Sequence, residues 1–504
     1  MLKIWNFASS QIRFKHTKVH WSKLQKKVTA TKRALDHFDD FYSTVFGNRW
    51  KSIRVALLSQ HKYVALVNIF GDSENTCKAL ELQGAINVRS LFNLAQERLK
   101  NNINEDVKNQ INLDNTLAAI IKKQESKEIE SMYPEDAHVN LPEKIFYKRD
   151  DIKEASYSTK DEAILEDITE FKKPLEQKIE ENYQIDESRV IDFTQGSAGL
   201  HNFIPATQIK GMENWVLESD HYKYYSTNSD FPLEIQMENE INFPETLSLY
   251  TYEKGNCSTF IPPYNCETGV LSHFLMDGSS ILPPLVLDIK HGDKVLDACA
   301  APGGKSLLML QTLYPEVLVC NDVQKSRVGR IYEVMNQYIF DFEEKWINQN
   351  RCIIQNYNAL ALDEYEKYDK VLVDVPCTTD RHSLAEDDNN IFKPGRIKER
   401  LKIPELQSRI LANCLRLVKP GGSLVYSTCS LSPVQNDGVV HMALQNLFVE
   451  HGLTFIVKDL SLVVKCFQDI FKFENSKNLK YGQLVLPYLP ANFGPMYFCK
   501  MTRI

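Results

Sequence analysis

Three short stretches hold side chains able to do covalent chemistry. Residues 370–380, "KVLVDVPCTTD", end an apolar run on Asp374 and place a thiol, Cys377, directly after Pro376. Residues 422–430, "GSLVYSTCS", place a second thiol, Cys429, directly after Thr428. Residues 295–306, "VLDACAAPGGKS", end another apolar run on an acid and turn at once through Gly303, Gly304 and Lys305. Two thiols and a carboxylate near a glycine turn suit covalent catalysis, in which a thiolate splits one hard step into two easier ones. No His or further Cys joins the two thiols in sequence, so no metal is expected there.

The glycine turn decides the ligand. Gly304-Lys305-Ser306 ends like a P-loop, and the run to Asp374 imitates the acidic strand of an NTPase. That motif needs a glycine five residues before Gly304, where Cys299 stands, and Pro302 lacks a backbone N–H that a triphosphate would use. A dinucleotide would require G-x-G-x-x-G, which is absent. What remains is a tight turn, close backbone approach, and Asp322 in "VLVCNDVQKSR", where a carboxylate can bind both ribose hydroxyls. A nucleoside without a phosphate chain fits, namely S-adenosylmethionine.

These motifs need a frame. Apolar strands are expected at 293–298, 317–321, 351–355, 370–375 and 423–427, with helices near 304–313, 325–340 and 404–418. The last helix has Pro404 in its first turn and Gly421 beyond its end. Strands alternating with helical crossovers give an α/β fold with a doubly wound, mostly parallel, Rossmann-like sheet. Segments 454–458, 483–487 and 496–501 supply further strands, including an antiparallel edge. Motif-bearing loops then fall at the carboxyl ends of the strands, beside one cleft.

The remaining chain is uneven. The first 35 of 504 residues hold nine Lys and Arg and no acid. Residues 1–27 therefore read as a mitochondrial transit peptide or a basic arm touching RNA. Residues 28–100 read as an N-terminal helical subdomain, with helical periodicity and repeated aromatics over 28–70. Residues 101–235 read as an acidic, low-order insertion rich in Glu, Lys, Asn and Ser. The domain carrying the motifs spans 236–504. Eleven scattered cysteines without a C-x-x-C pair point to reduced thiols inside a cell. No run of about 18 apolar residues occurs, so no membrane span is expected.

"LDACAAPGGKS", "DVPCTTDRHS" and "YSTCSLSPVQND" resemble the signature motifs of the Sun-domain RNA cytosine-5 methyltransferases. "FYSTVFGNRWKSIRVALL", "RHSLAEDDNNIFK" and "NFGPMYFCKM" are similar to the mitochondrial ribosomal-RNA branch of that family. The resemblance covers about 30–70 and 260–504 and leaves out the acidic insertion. It implies methylation of mitochondrial small-subunit ribosomal RNA, a role in ribosome assembly and a matrix location. It also implies a partner among the helical-repeat proteins of the mitochondrial termination-factor family. A transfer-RNA methyltransferase and a non-catalytic assembly factor of the same fold stay open.

The resemblance also assigns roles. Cys429 is the nucleophile, Cys377 assists product release, and Asp374 bonds the cytosine edge. Gly303, Gly304, Lys305, Asp322, Arg327 and Asp374 line the cofactor pocket. An Asp-Gly pair of the family, whose acid binds the adenine amino group, is Asn358-Ala359 here, which keeps an acceptor but no charge. Separately from the resemblance, the charges of the basic run "FKPGRIKERLK", with Lys393, Arg396, Lys398, Arg400 and Lys402, read either as a contact to RNA phosphates or as a solvated helix face.

Overall fold

The computed structural model describes residues 28–100 and 231–504. Its central layer follows from apolar runs whose alternate side chains enter opposite cores. In β9 (Tyr368–Asp374), Val371 and Val373 face one core and Leu372 the other. The same alternation holds in β6 (Lys294–Asp297), β7 (Val317–Asn321) and β10 (Val418–Thr428). Strands covered on both faces read as unbroken apolar runs, which made them visible in the sequence.

The remaining strands of this sheet are β3 (Glu234–Met237), β8 (Cys352–Gln355), β11 (Phe455–Asp459), β12 (Gln483–Val485) and β13 (Met496–Arg503). Their order is β3-β11-β13-β10-β9-β6-β7-β8, with β12 added to β13. The chain runs outward from β6 through β7 to β8, then returns to β9 and continues outward to β10. The order therefore reverses between β6 and β9, and their carboxyl ends open a crevice. The doubly wound, mostly parallel sheet expected from the sequence is present.

Four details differ from expectation. The antiparallel strand β13 is internal, between β10 and β11, rather than at an edge. Tyr497, Cys499 and Met501 enter one core while Met496 and Phe498 enter the other, so this strand demands cover on both faces. Residues 234–237, composed like the insertion, form β3 and pair in parallel with β11. Its side chains are mostly exposed, so no apolar signal marks it.

Third, 28–100 is not wholly helical. Helices Ala30–Phe46 and Trp50–Leu58 form as expected, but β1 (Tyr63–Val67) and β2 (Ile86–Asn87) follow. They join β4 (Leu249–Thr251) and β5 (His273–Asp277) in a separate antiparallel sheet, ordered β2-β4-β1-β5. A five-residue apolar run does not distinguish helix from strand, and here partners distant in sequence decide it. Val67, for example, pairs with His273.

Fourth, the helix expected from Pro404 begins at Ile397 and runs to Leu417, with Pro404 inside. Good helix formers in "IKERLK" outweigh the backbone bond that proline removes. The basic N-terminal segment 1–27 and the insertion through residue 230 lie outside the described residues. No helix among the described residues is long and apolar enough to cross a membrane.

Candidate active site

The crevice between β6 and β9 carries an ion pair. Lys305, in the first turn of the helix Gly304–Gln311, places Nζ 2.7 Å from Asp374 Oδ2. Ser427, at the end of β10, donates to Asp374 Oδ1 at 2.7 Å. Burial lowers the Lys305 pKa, but the Asp374 carboxylate outweighs it and leaves the ammonium pKa above its ordinary value. Gly303 holds φ at 110°, a conformation that favours glycine, and a Cβ on Gly304 would lie 2.8 Å from the Phe274 ring. Asp297, fully buried behind this turn, accepts from Ser306 Oγ at 2.6 Å. Burial pushes its carboxyl up to about 7.

Both predicted thiols meet beside that pair. Cys377 Sγ and Cys429 Sγ are 2.9 Å apart, one on the loop after β9 and the other directly after β10. Bonding to Cys377 comes first, then burial and nearby carboxylates, in pushing the Cys429 thiol well above its usual range. The thiolate therefore needs help to form at neutral pH, and the Lys305 ammonium is close enough to interact with it.

The other residues that the sequence assigns to the cofactor lie after β7 and β8. Asp322 Oδ1 accepts from Gln324 N–H at 3.0 Å, and Arg327 covers the other oxygen at 3.5 Å while donating to Ala301 O at 2.9 Å. Asn358 is exposed and its side-chain oxygen accepts from Leu360 N–H at 3.0 Å, whereas Ala359 is buried. A cavity of about 270 Å³ is lined by Asp297, Ala301, Pro302, Gly304, Lys305 and Asp374. Asp297 Oδ1 is buried there without a hydrogen-bond partner among the described residues. Asp322, Arg327, Asn358 and Ala359 do not line that cavity, but backbone approach at two glycines, acids ending β6 and β9 and an acid directly after β7 fit S-adenosylmethionine.

A family model described as "16S rRNA methyltransferase RsmB/F" matches residues 284–464. The "5-cytosine rRNA methyltransferase nsun-4" of Caenorhabditis elegans is 32% identical over 508 residues, covering 97% of this chain and 98% of the relative. The "5-cytosine rRNA methyltransferase NSUN4" of Xenopus tropicalis is 33% identical, covering 97% and 94%. The chain belongs to the Sun-domain family of RNA cytosine-5 methyltransferases. A "tRNA (cytosine(34)-C(5))-methyltransferase, mitochondrial" of Danio rerio is 31% identical over 312 residues, covering 60% of this chain and 78% of the relative.

In this methyltransferase the scaffold of the thiol loops escaped the sequence reading. Asp380, three residues after Cys377, is buried and accepts from Tyr42 Oη, Thr378 Oγ1 and Leu431 N–H at 2.7, 2.6 and 2.7 Å. Gln407 Nε2 donates to Pro376 O at 2.9 Å, and Gln435 Oε1 accepts from Thr378 N–H at 3.2 Å. Arg381 donates to Gly494 O and, with Asn492, to carbonyls ending the helix Trp50–Leu58. Only the clustering of polar residues right after each cysteine hinted at this.

The basic run divides. Arg396 pairs with Glu399 at 2.6 Å, and the Arg400 guanidinium lies 4.6 Å over the Phe392 ring. Arg396 and Lys402 also line a cavity of about 690 Å³ that reaches Cys377, together with Arg327 and Arg409. Arg409, seven residues past the run, was not anticipated because it lies beyond the dense basic cluster.

Proposed function

We propose that this methyltransferase methylates carbon 5 of a cytosine in mitochondrial small-subunit ribosomal RNA through a covalent bond to Cys429. The observation that carries the reading is the pair of thiols 2.9 Å apart beside the Lys305–Asp374 ion pair. Cys429 loses its proton to solvent, its thiolate adds to carbon 6 of the cytosine while ring nitrogen 3 takes up a proton, and the resulting enamine makes carbon 5 nucleophilic. Asp374 holds the ring edge at nitrogen 3, and Lys305 stabilises the thiolate before it adds. When bound, S-adenosylmethionine supplies the electrophilic methyl group that carbon 5 accepts. A base then removes the carbon 5 proton, the Sγ–carbon 6 bond breaks, and Cys377 assists that release.

Gly303, Gly304, Lys305, Asp322, Arg327, Asn358, Ala359 and Asp374 would hold the cofactor. Arg327 is the side chain that must yield for a ribose to reach Asp322. Arg396, Lys402 and Arg409 would face RNA phosphates along the larger cavity. Ribosomal RNA is favoured by relatives named for it that match nearly the whole chain, whereas the transfer-RNA relative covers 60% of it. The basic, acid-free N-terminus supports import to the mitochondrial matrix, and the family resemblance supports a role in ribosome assembly and the helical-repeat partner. Bisulfite sequencing of mitochondrial RNA after depletion tests the target. Methylation of small-subunit ribosomal RNA should vanish and return with wild type but not with Cys429→Ser. Loss confined to transfer RNA would overturn the ribosomal assignment.

A further inference from the structure

Asp380 is a carboxylate with no exposed surface, and the donors bonded to it are neutral groups from three parts of the chain. Thr378 Oγ1 donates to Oδ1 at 2.6 Å from the residue after Cys377. Ser430 Oγ lies 3.2 and 3.3 Å from the two oxygens and belongs to the residue after Cys429. Leu431 N–H and Tyr42 Oη both donate to Oδ2 at 2.7 Å. The Thr378 and Ser430 hydroxyls are 3.0 Å from each other, which closes the network across the two loops. Burying a charge is costly unless its hydrogen bonds are complete, so the site keeps this acid only with both loops drawn onto it.

We propose that Asp380 is a positioning residue that fixes the separation of Cys377 and Cys429 and ties it to Tyr42 of the N-terminal helix. Two oxygens that only accept are required. Asn at 380 can still accept from Leu431 N–H and Tyr42, but its amino group then faces Thr378 and Ser430. Those hydroxyls must turn over, and Thr378 Oγ1 already lies 3.1 Å from the amide nitrogen of Gln435. The disturbance falls on the two residues adjoining the thiols. Helix Ala30–Phe46 thereby becomes part of the active-site frame, since its Tyr42 hydroxyl shares one carboxylate oxygen with the Cys429 loop.

The inference rests on the proposed roles of the two cysteines for its catalytic meaning, and its test is separable from them. Diamide accepts two electrons and two protons at its N=N bond while two S–H bonds break and one S–S bond forms. The thiols need to close by about 1 Å to reach disulfide length. Peptide mass spectrometry of the full chain, without RNA or cofactor, should show a Cys377–Cys429 crosslink in wild type. Asp380→Asn should slow its formation about tenfold, the scale expected when reacting atoms shift by a fraction of an ångström. Tyr42→Phe, which leaves both loops chemically intact and the carboxylate with its Thr378, Ser430 and Leu431 donors, should slow it about twofold, the low end of a hydrogen bond's net worth. Single-turnover methylation should fall in step while the KM for RNA stays constant. Crosslinking at the wild-type rate in both variants, or no crosslink in wild type, would overturn the inference. Should Asp380→Asn fail to fold, Tyr42→Phe at the wild-type rate is sufficient to overturn it. Slowed crosslinking without wild-type methylation would uphold it and overturn the catalytic reading instead.

Discussion

At the thiol end of the cleft, side chains bond across the chain. Asp380 meets Tyr42 and Leu431, Gln407 meets Pro376, and Gln435 meets Thr378. At the cofactor end, the corresponding acceptors serve their own turns: Asp322 accepts from Gln324 N–H and Asn358 from Leu360 N–H, each two residues on. The thiol end is held by groups that fold together only when distant segments dock. The cofactor end adds to these local turns bridges between neighbouring strand-end loops, as Arg327 donates to Ala301 O and Asn321 Nδ2 to Ala298 O and Tyr357 O. Bond making requires thiols at fixed separation, whereas at the cofactor end the acceptors a ligand would meet, Asp322 and Asn358, are held by turns of their own.

Lys305 sits at the junction of the two ends, so Lys305→Met tests the division most severely. Loss of the ammonium beside the thiols should lower single-turnover methylation about 10²-fold, the scale for removing one preorganised electrostatic group. An effect appearing mainly in cofactor affinity, by calorimetry, would move Lys305 to the other end. Asp322→Ala should weaken S-adenosylmethionine binding by about 1–3 kcal/mol, the range for hydrogen bonds to a charged group. Alkylation of Cys429 should be unchanged in that variant, and a change would show that the ends are coupled.

The pH dependence of Cys429 separates them further. Its thiol pKa is raised, first by the bond to Cys377 and then by burial, so little thiolate exists at neutral pH. Iodoacetamide modification should rise about tenfold per pH unit below that pKa, as thiolate fraction does. Cys377→Ala removes the leading cause, lowers the pKa and should speed modification at pH 7.5. An unchanged rate would contradict the thiol contact. The smallest effect is expected from Asn358→Asp, which keeps the Leu360 cap and adds charge. Cofactor binding should tighten by about 1 kcal/mol, the gain from a charge-assisted bond.

The same division governs what the sequence disclosed. Asp374, Cys377, Cys429 and the Gly303-Gly304-Lys305 turn were legible because each follows an apolar strand directly, and strand order alone brings their loops together. Asp322 was legible for the same reason, whereas Asn358 was reached only through the family resemblance. Asp380 was not, because its meaning lies in Tyr42, 338 positions away. The small antiparallel sheet was hidden for a related reason, since β1 takes β4 and β5 as partners from beyond the acidic insertion in sequence. Pro404 misled about the helix start because an interior proline is locally unfavourable and only the surrounding helix formers make it tolerable.

The most direct measurement of the central claim compares the two thiols. Methyltransferase carrying Cys377→Ala or Cys429→Ala is incubated with S-adenosylmethionine and substrate RNA, and protein–RNA adducts are resolved on denaturing gels. Each substitution removes only a small side chain at a strand end. If Cys429 attacks and Cys377 assists release, Cys377→Ala accumulates a stable adduct and Cys429→Ala forms none. Adducts trapped in Cys429→Ala and absent from Cys377→Ala would contradict the account and make Cys377 the nucleophile.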